Sequence, residues 1–275
     1  MSPRPVLVVQ HEDACPPGHL AAWAREAAVT LDVRRCHDGE DLPATLSEHS
    51  GMVLLGGEMS AYDDARFPWL TAAKSLVIQA VISTVPFLGV CLGHQLAAVA
   101  LGGRVAAHPH GPIRGVQRVG LLPSARQDPL ARLLPADSML LHWNSDVVVG
   151  LPGGASVLAL DGTGHVQMVR FGEQAWGVQG HPEAGPDIVT VWGRTGSSHE
   201  CGPATAGHPP LLDTDGVLAQ IADAGPLLVS AWSGPAGAFF AATRAPGAGR
   251  AGRSVLPLVP PTTEESGGHT HVHRR

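Results

Sequence analysis

Apolar and polar positions along the first hundred residues alternate between two textures. Short apolar runs at Pro5–Val9, Gly51–Leu55 and Pro86–Val90 have the length of buried strands, with Leu31–Arg35 as a further candidate. Between them, Leu20–Val29, Trp69–Ser83 and about His94–Leu101 carry apolar residues at helical spacing. In the second of these, Leu70, Ala73, Val77, Ala80 and Val81 share one face. Gly102 and Gly103 stop the third. Strands that alternate with helices predict an α/β architecture of three layers, an open, mostly parallel sheet with helices on both faces.

After Arg104 the pattern changes. "GVQRVGLL", "SVLAL", "HVQMVRFG" and "AWGVQGHPE" are short β-like runs separated by Gly and Pro, and they predict added antiparallel or mixed strands. Leu211–Trp232 predicts one or two closing helices. From Ala245 the chain is rich in Gly, Pro and Arg and ends "ESGGHTHVHRR", the composition of a disordered tail. The expected organisation is one domain over 1–244 and a tail over 245–275.

Composition narrows the function. The 275 residues are 44% hydrophobic and 15% charged with a net charge of −6, which suits a globular domain and leaves no basic footprint for nucleic acid. No apolar run approaches the roughly 18 residues that span a bilayer, so no membrane partner is expected. The run before Gln10 is too short for the core of a signal peptide. Cys15, Cys36, Cys91 and Cys201 are scattered and form no CxxC pair, which argues against a disulfide framework and for a reducing cytoplasm.

One of the four cysteines stands apart. Cys91 falls between a strand and a helix with Gly89 and Gly93 two residues to either side, the pattern of a nucleophile elbow. The glycines permit a sharp turn, and the following helix N-terminus favours a thiolate. An ordinary buried cysteine is the competing reading. A thiolate nucleophile needs a base and an orienting acid. In "WGVQGHPEAG", His181 ends a β-like run and Glu183 follows two residues later, on the same face of an extended chain. Among 15 histidines, this is the one with a carboxylate placed to set its tautomer.

"GGEMSAYDD" (Gly56–Asp64), "FLGVCLGHQLAAVALGG", "HWNSD" (His142–Asp146) and "WGVQGHPE" occur in one order and together resemble the class I, triad-type glutamine amidotransferases. The likeness is greatest to stand-alone domains similar to the amidotransferase half of GMP synthase. It implies a flavodoxin-like fold with added antiparallel strands, and a triad of Cys91, His181 and Glu183. It also implies an oxyanion hole from the backbone N–H groups of Gly57 and Leu92, with Gln95, Trp143 and Asn144 contacting the substrate. No metal and no organic cofactor is implied. The family usually has a bulky residue, often aromatic, before the catalytic histidine; Gly180 stands here, which would widen the pocket or loosen the His181 strand.

The chemistry so implied is hydrolysis of the γ-amide of L-glutamine through a glutamyl thioester. The chain has no P-loop, no dinucleotide fingerprint and no pyrophosphatase loop, and "WSGPAGAF" (Trp232–Phe239) falls short of the last. Acceptor chemistry would therefore lie on a separate synthetase chain. The alternatives are a free-standing hydrolase of γ-glutamyl amides or peptides, and a non-catalytic regulatory module on the same fold. "HPH" (His108–His110) and "HTHVH" (His269–His273) have metal-ligating residues but read as solvated segments, and Cys15, Cys36 and Cys201 read as bystanders.

Overall fold

A computed structural model describes residues 3–195 and 213–245. Cys201, the start of the predicted closing helix and nearly all of the predicted tail lie outside the described residues. The first half runs β1 (Val6–Gln10), α1 (His19–Glu26), β2 (Leu31–Arg35), β3 (Gly51–Leu54), α2 (Trp69–Ile82), β4 (Phe87–Val90) and α3 (Leu92–Ala100). The second half adds β5 (Arg104–Ala107), β6 (Ile113–Arg118), β7 (Gly120–Leu121), β8 (Met139–Asn144) and β9 (Asp146–Gly150). It continues with β10 (Ser156–Leu160), β11 (Val166–Gly172), β12 (Ala175–Val178), α4 (Pro186–Thr195) and α5 (Thr214–Arg244).

The main sheet has eight strands in the order β2-β1-β3-β4-β12-β11-β10-β7. The first five are parallel to one another, and β11, β10 and β7 extend the edge antiparallel. Two ribbons, β5 with β9 and β6 with β8, flank it. Alternation along β1 divides the core: Val6 and Val8 face the layer of α1 and α5, and Leu7 and Val9 face α2 and α3. Both faces are thus covered, which is why these strands are continuous apolar runs.

Strands β5, β8 and β9 are not among the expected elements, and four of the expected elements differ in their ends or pairing. Helix α3 begins at Leu92 instead of His94, directly after Cys91. "AWGV" pairs parallel to β4, so the parallel sheet gains a strand from the second half. "GVQRVGLL" splits between two sheets at Val119, which is buried and donates its amide to the Ser138 carbonyl over 2.9 Å. The closing helix continues to Arg244 through Pro226 and Pro235, taking "WSGPAGAF" with it. Each proline follows a glycine, whose missing Cβ removes much of the clash that pushes a pre-proline residue out of helical geometry.

Candidate active site

The turn from β4 into α3 is dictated by contacts too close for any side chain. A Cβ on Gly89 would stand 2.5 Å from the Gly93 carbonyl oxygen, and one on Gly93 would stand 2.2 Å from that of Leu54. The Gly93 amide donates to the Leu55 carbonyl at 3.1 Å and the Cys91 amide to that of Val178 at 2.8 Å, which pins the turn to β3 and β12. Between these fixed points Cys91 takes φ +50°, a conformation a non-glycine residue holds only at a cost of about 1–3 kcal/mol. The thiol is thereby set at the N-terminus of α3, over the C-terminal edge of the parallel strands.

His181 reaches the same point from the far side of β4. The strand β12 ends at Val178, so His181 and Glu183 lie beyond the strand on which sequence spacing would place them. The His181 amide donates to the Leu141 carbonyl at 2.7 Å, and its Nδ1 meets Glu183 Oε1 at 2.7 Å with both side chains buried. Glu183 is held by its own backbone: its carbonyl accepts the His19 amide at 2.8 Å. Gly18, at φ +51°, makes this possible, because a Cβ there would lie 2.1 Å from that oxygen. Burial works against charge on His181, but the negative charges of Cys91 and Glu183 and hydrogen bonds to both outweigh it. The imidazole pKa is raised to about 10. Glu183 Oε2 is buried without a partner, so the carboxylate's charge is left for the imidazole.

The Gly56–Gly57 loop closes over this pair. A Cβ on Gly56 would lie 2.8 Å from His181 Cε1, and one on Gly57 would lie 3.0 Å from Leu92 Cδ2. The Gly57 and Leu92 amides have no acceptor among the described residues, as donors for an oxyanion require. His11 supports the loop from below: its Cβ is 3.1 Å from the Gly57 Cβ position, and its Nδ1 accepts the Trp69 indole N–H at 3.2 Å.

The remaining predicted residues are placed less directly. Gln95 is buried and spends its Nε2 on the Asp146 carbonyl at 2.9 Å and Gln179 Oε1 at 3.4 Å, so it braces the wall instead of presenting its amide N–H groups to a substrate. "HWNSD" is the end of β8 and the start of β9, not a free loop. Asn144 donates to the Asp146 carbonyl at 3.1 Å and leaves Oδ1 buried and unpartnered. Trp143 stacks under the Arg114 guanidinium, 4.5 Å from the ring centroid. Gly180 does not widen a pocket: a Cβ there would strike Leu140 Cγ and the Leu141 carbonyl oxygen, each at 2.5 Å. Close approach of β8 is what demands glycine.

Three residues of the site carry no signal in the sequence. Trp192 of α4 lies against the His181 ring at 4.6 Å and donates its indole N–H to the Ala14 carbonyl at 2.7 Å. Gln179, buried, points Nε2 at Cys91 Sγ from 3.9 Å. Cys15, a bystander by its sequence context, has its Sγ 3.6 Å from the Gly56 Cβ position and donates to Glu12 Oε1 at 3.1 Å. Burial, then the charge of Glu12, push its pKa well above the usual thiol value.

The chain is 31% identical over 186 residues to the glutamine amidotransferase-like protein YfeJ of Salmonella typhimurium, covering 65% of this chain and 75% of that one. It is 28% identical to gamma-glutamyl peptidase 4 of Arabidopsis thaliana, over 52% of this chain and 57% of the relative. Identity to a glutamine-hydrolyzing GMP synthase subunit of Halobacterium salinarum is 35%, over 56% and 75%. A crystal structure of a glutamine amidotransferase from Methylobacillus flagellatus superposes with a TM-score of 0.75 at 26% identity, covering 94% of this chain and all of that one. The family model for class-I glutamine amidotransferases matches residues 19–188, more than half of the sequence, and the chain belongs to that family.

Proposed function

We propose that this chain hydrolyses the γ-amide of glutamine through a glutamyl thioester on Cys91. The observation that carries the reading is a buried imidazole, charged at neutral pH, between an elbow-borne thiol and a carboxylate with one oxygen to spare. Cys91 sulfur attacks the γ-carbonyl carbon, and the amides of Gly57 and Leu92 take up the oxyanion, each such donor being worth about 3–4 kcal/mol. His181 gives its proton to the departing nitrogen, ammonia leaves and the thioester remains. The neutral His181 then takes a proton from water as that water attacks, glutamate departs and the sulfur regains its electron pair. Asn144 and Trp143 form the adjoining wall, against the amino-acid end of the substrate. Gln95 and Gln179 hold that wall and the sulfur in register.

The ammonia passes to a separate synthetase chain, as the subunit status of the GMP synthase relative suggests. We assign the activity to residues 1–244, with 245–275 as a tail. Cys15, Cys36 and Cys91 are all unbridged, which fits a reducing cytoplasm, and no helix among the described residues is long and apolar enough to cross a membrane.

The likeness to gamma-glutamyl peptidases favours a second reading, a free-standing hydrolase of γ-glutamyl peptides. Glutamate release from L-glutamine, beside a panel of γ-glutamyl amides and peptides, separates the two. Faster turnover of glutamine supports the first and faster turnover of a peptide the second. No release from any of them, together with no labelling of Cys91 by a chloroketone analogue of glutamine, would leave a non-catalytic module.

A further inference from the structure

Away from Cys91, the fold brings together two segments that nothing in their sequence spacing connects. His108 follows β5, and Asp161 and His165 form the turn between β10 and β11. One ligand-capable atom from each of the three lies within 4.8 Å of the others. We infer that His108, Asp161 and His165 form a binding site for a divalent transition-metal ion of the zinc class.

Several observations support this site. His108 is 5% exposed; its Nδ1 accepts the His110 amide at 3.3 Å, and its Nε2 is buried with no partner. The His108 and His165 rings lie 4.4 Å apart, and His165 Nδ1 is 3.8 Å from Asp161 Oδ2. The Asp161 carboxylate is already aligned. Its Oδ1 takes the amides of Thr163 and His165 at 2.8 and 2.9 Å, and its Oδ2 takes Gln167 Nε2 at 3.0 Å. Gln167 Oε1, on the side chain that bonds Asp161, is a second buried polar atom with no partner after His108 Nε2. A second cluster, Asp13, His37 and Asp38, differs in kind, because Arg35 already pairs with both of its carboxylates.

Two imidazoles and one carboxylate, with a position left for water, suit zinc and its neighbours and not calcium or magnesium. Ligand atoms about 2.0–2.1 Å from a tetrahedral zinc stand about 3.4 Å from each other, so the sides of the triangle must close by up to about 1.4 Å. Ligation through His108 Nε2 moves the ring proton to Nδ1 and gives up the long contact with the His110 amide. The His108 amide donates to the Ser145 carbonyl at 2.8 Å, between Asn144 and Asp146. A bound ion would therefore tie the β10–β11 turn to the wall that Gln95 braces.

The test is equilibrium dialysis of the full chain against Zn²⁺, in a background of Cys91→Ala with His269, His271 and His273 each changed to Gln. These changes silence the thiol site and the histidine-rich tail. One ion per chain is expected, with at least about a thirtyfold weaker Kd in either His108→Gln or His165→Gln. Co²⁺ should give the strong visible bands of a four- or five-coordinate site, lost in the same two variants. No binding, binding unchanged in both variants, or the pale spectrum of six-coordinate Co²⁺ would overturn the inference. Unchanged circular dichroism in the two variants separates loss of ligands from loss of fold.

Discussion

The β4–α3 elbow and the β1–α1 loop each present a cysteine to the same space, and their differences are the grounds for proposing Cys91 and not Cys15 as the nucleophile. Cys91 and Cys15 are equally buried, at 6% exposure, and both are free thiols. A Cβ on Gly56 would lie 2.8 Å from His181 Cε1 and 3.6 Å from Cys15 sulfur, so the same stretch of the loop backs onto both residues. Cys91 stands at a positive φ on a helix N-terminus, hydrogen-bonded to a charged imidazole. Cys15 sits in an ordinary turn, with its amide on the Glu12 carbonyl at 3.3 Å and its S–H on the Glu12 carboxylate. With burial the same for both, a cationic imidazole and a helix N-terminus face one sulfur and the acidic charge of Glu12 faces the other. Proximity to a histidine is not sufficient.

The largest expected effect tests that asymmetry directly. Cys91→Ala should lower kcat for γ-glutamyl hydrolysis by at least about 10⁵-fold, as removal of a triad nucleophile does. A loss under tenfold would move the nucleophile elsewhere, with Cys15 the first suspect. Next in size is Glu183→Gln. With the carboxylate gone, His181 loses one of the partners that raise its pKa, and kcat should fall about 10³–10⁴-fold. Imidazole NMR should show His181 giving up its proton at lower pH than in the wild type, where the transition is expected near pH 10. An unchanged titration would mean that the 2.7 Å contact does not set the charge.

The same contrast explains what is legible in the sequence and what is not. The elbow is legible because its demands are local: two glycines flank the cysteine, and His181 and Glu183 are two apart. Cys15, Trp192 and Gln179 are not, because strand order, not spacing, brings them to His181 and Cys91. Strand β8 escapes the pattern because Leu140, Leu141 and His142 are buried in succession, which erases the period-two signal. Helix α5 extends past its expected end because its prolines read as stops until the glycine before each is considered. Gly180 looks like a missing side chain, and only the approach of Leu140 shows that none would fit.

Third in size is a pH effect that contrasts His181 with three other buried histidines. Burial lowers His11 and His142 to about 4 and His94 to about 3, so all three are neutral in the fold. Their folded pKa values lie below the unfolded value of about 6.5, so their stabilising contribution is present above that pH and is lost as pH falls toward 4. Three protons at about 1.36 kcal/mol each give a slope of up to about 4 kcal/mol per pH unit near pH 5.5. Denaturant midpoints between pH 7 and 5 measure it. A flat profile would show that at least some of these rings are charged or solvated in the native state.

The smallest effect completes the comparison. Cys15→Ser should change kcat by less than about threefold, because the hydroxyl can keep the hydrogen bond to Glu12 and the substitution leaves the Cys91–His181 pair untouched. At neutral pH a haloacetamide should label Cys91 and spare Cys15, since burial and Glu12 hold the Cys15 proton in place. Removing that acceptor sharpens the case. In Glu12→Gln the carboxylate charge is gone while the burial remains, so Cys15 should stay unreactive if desolvation is the larger cause. Rapid labelling of Cys15 in that variant would show that Glu12 alone had been restraining it. The two cysteines would then differ by one carboxylate and not by the whole of their surroundings.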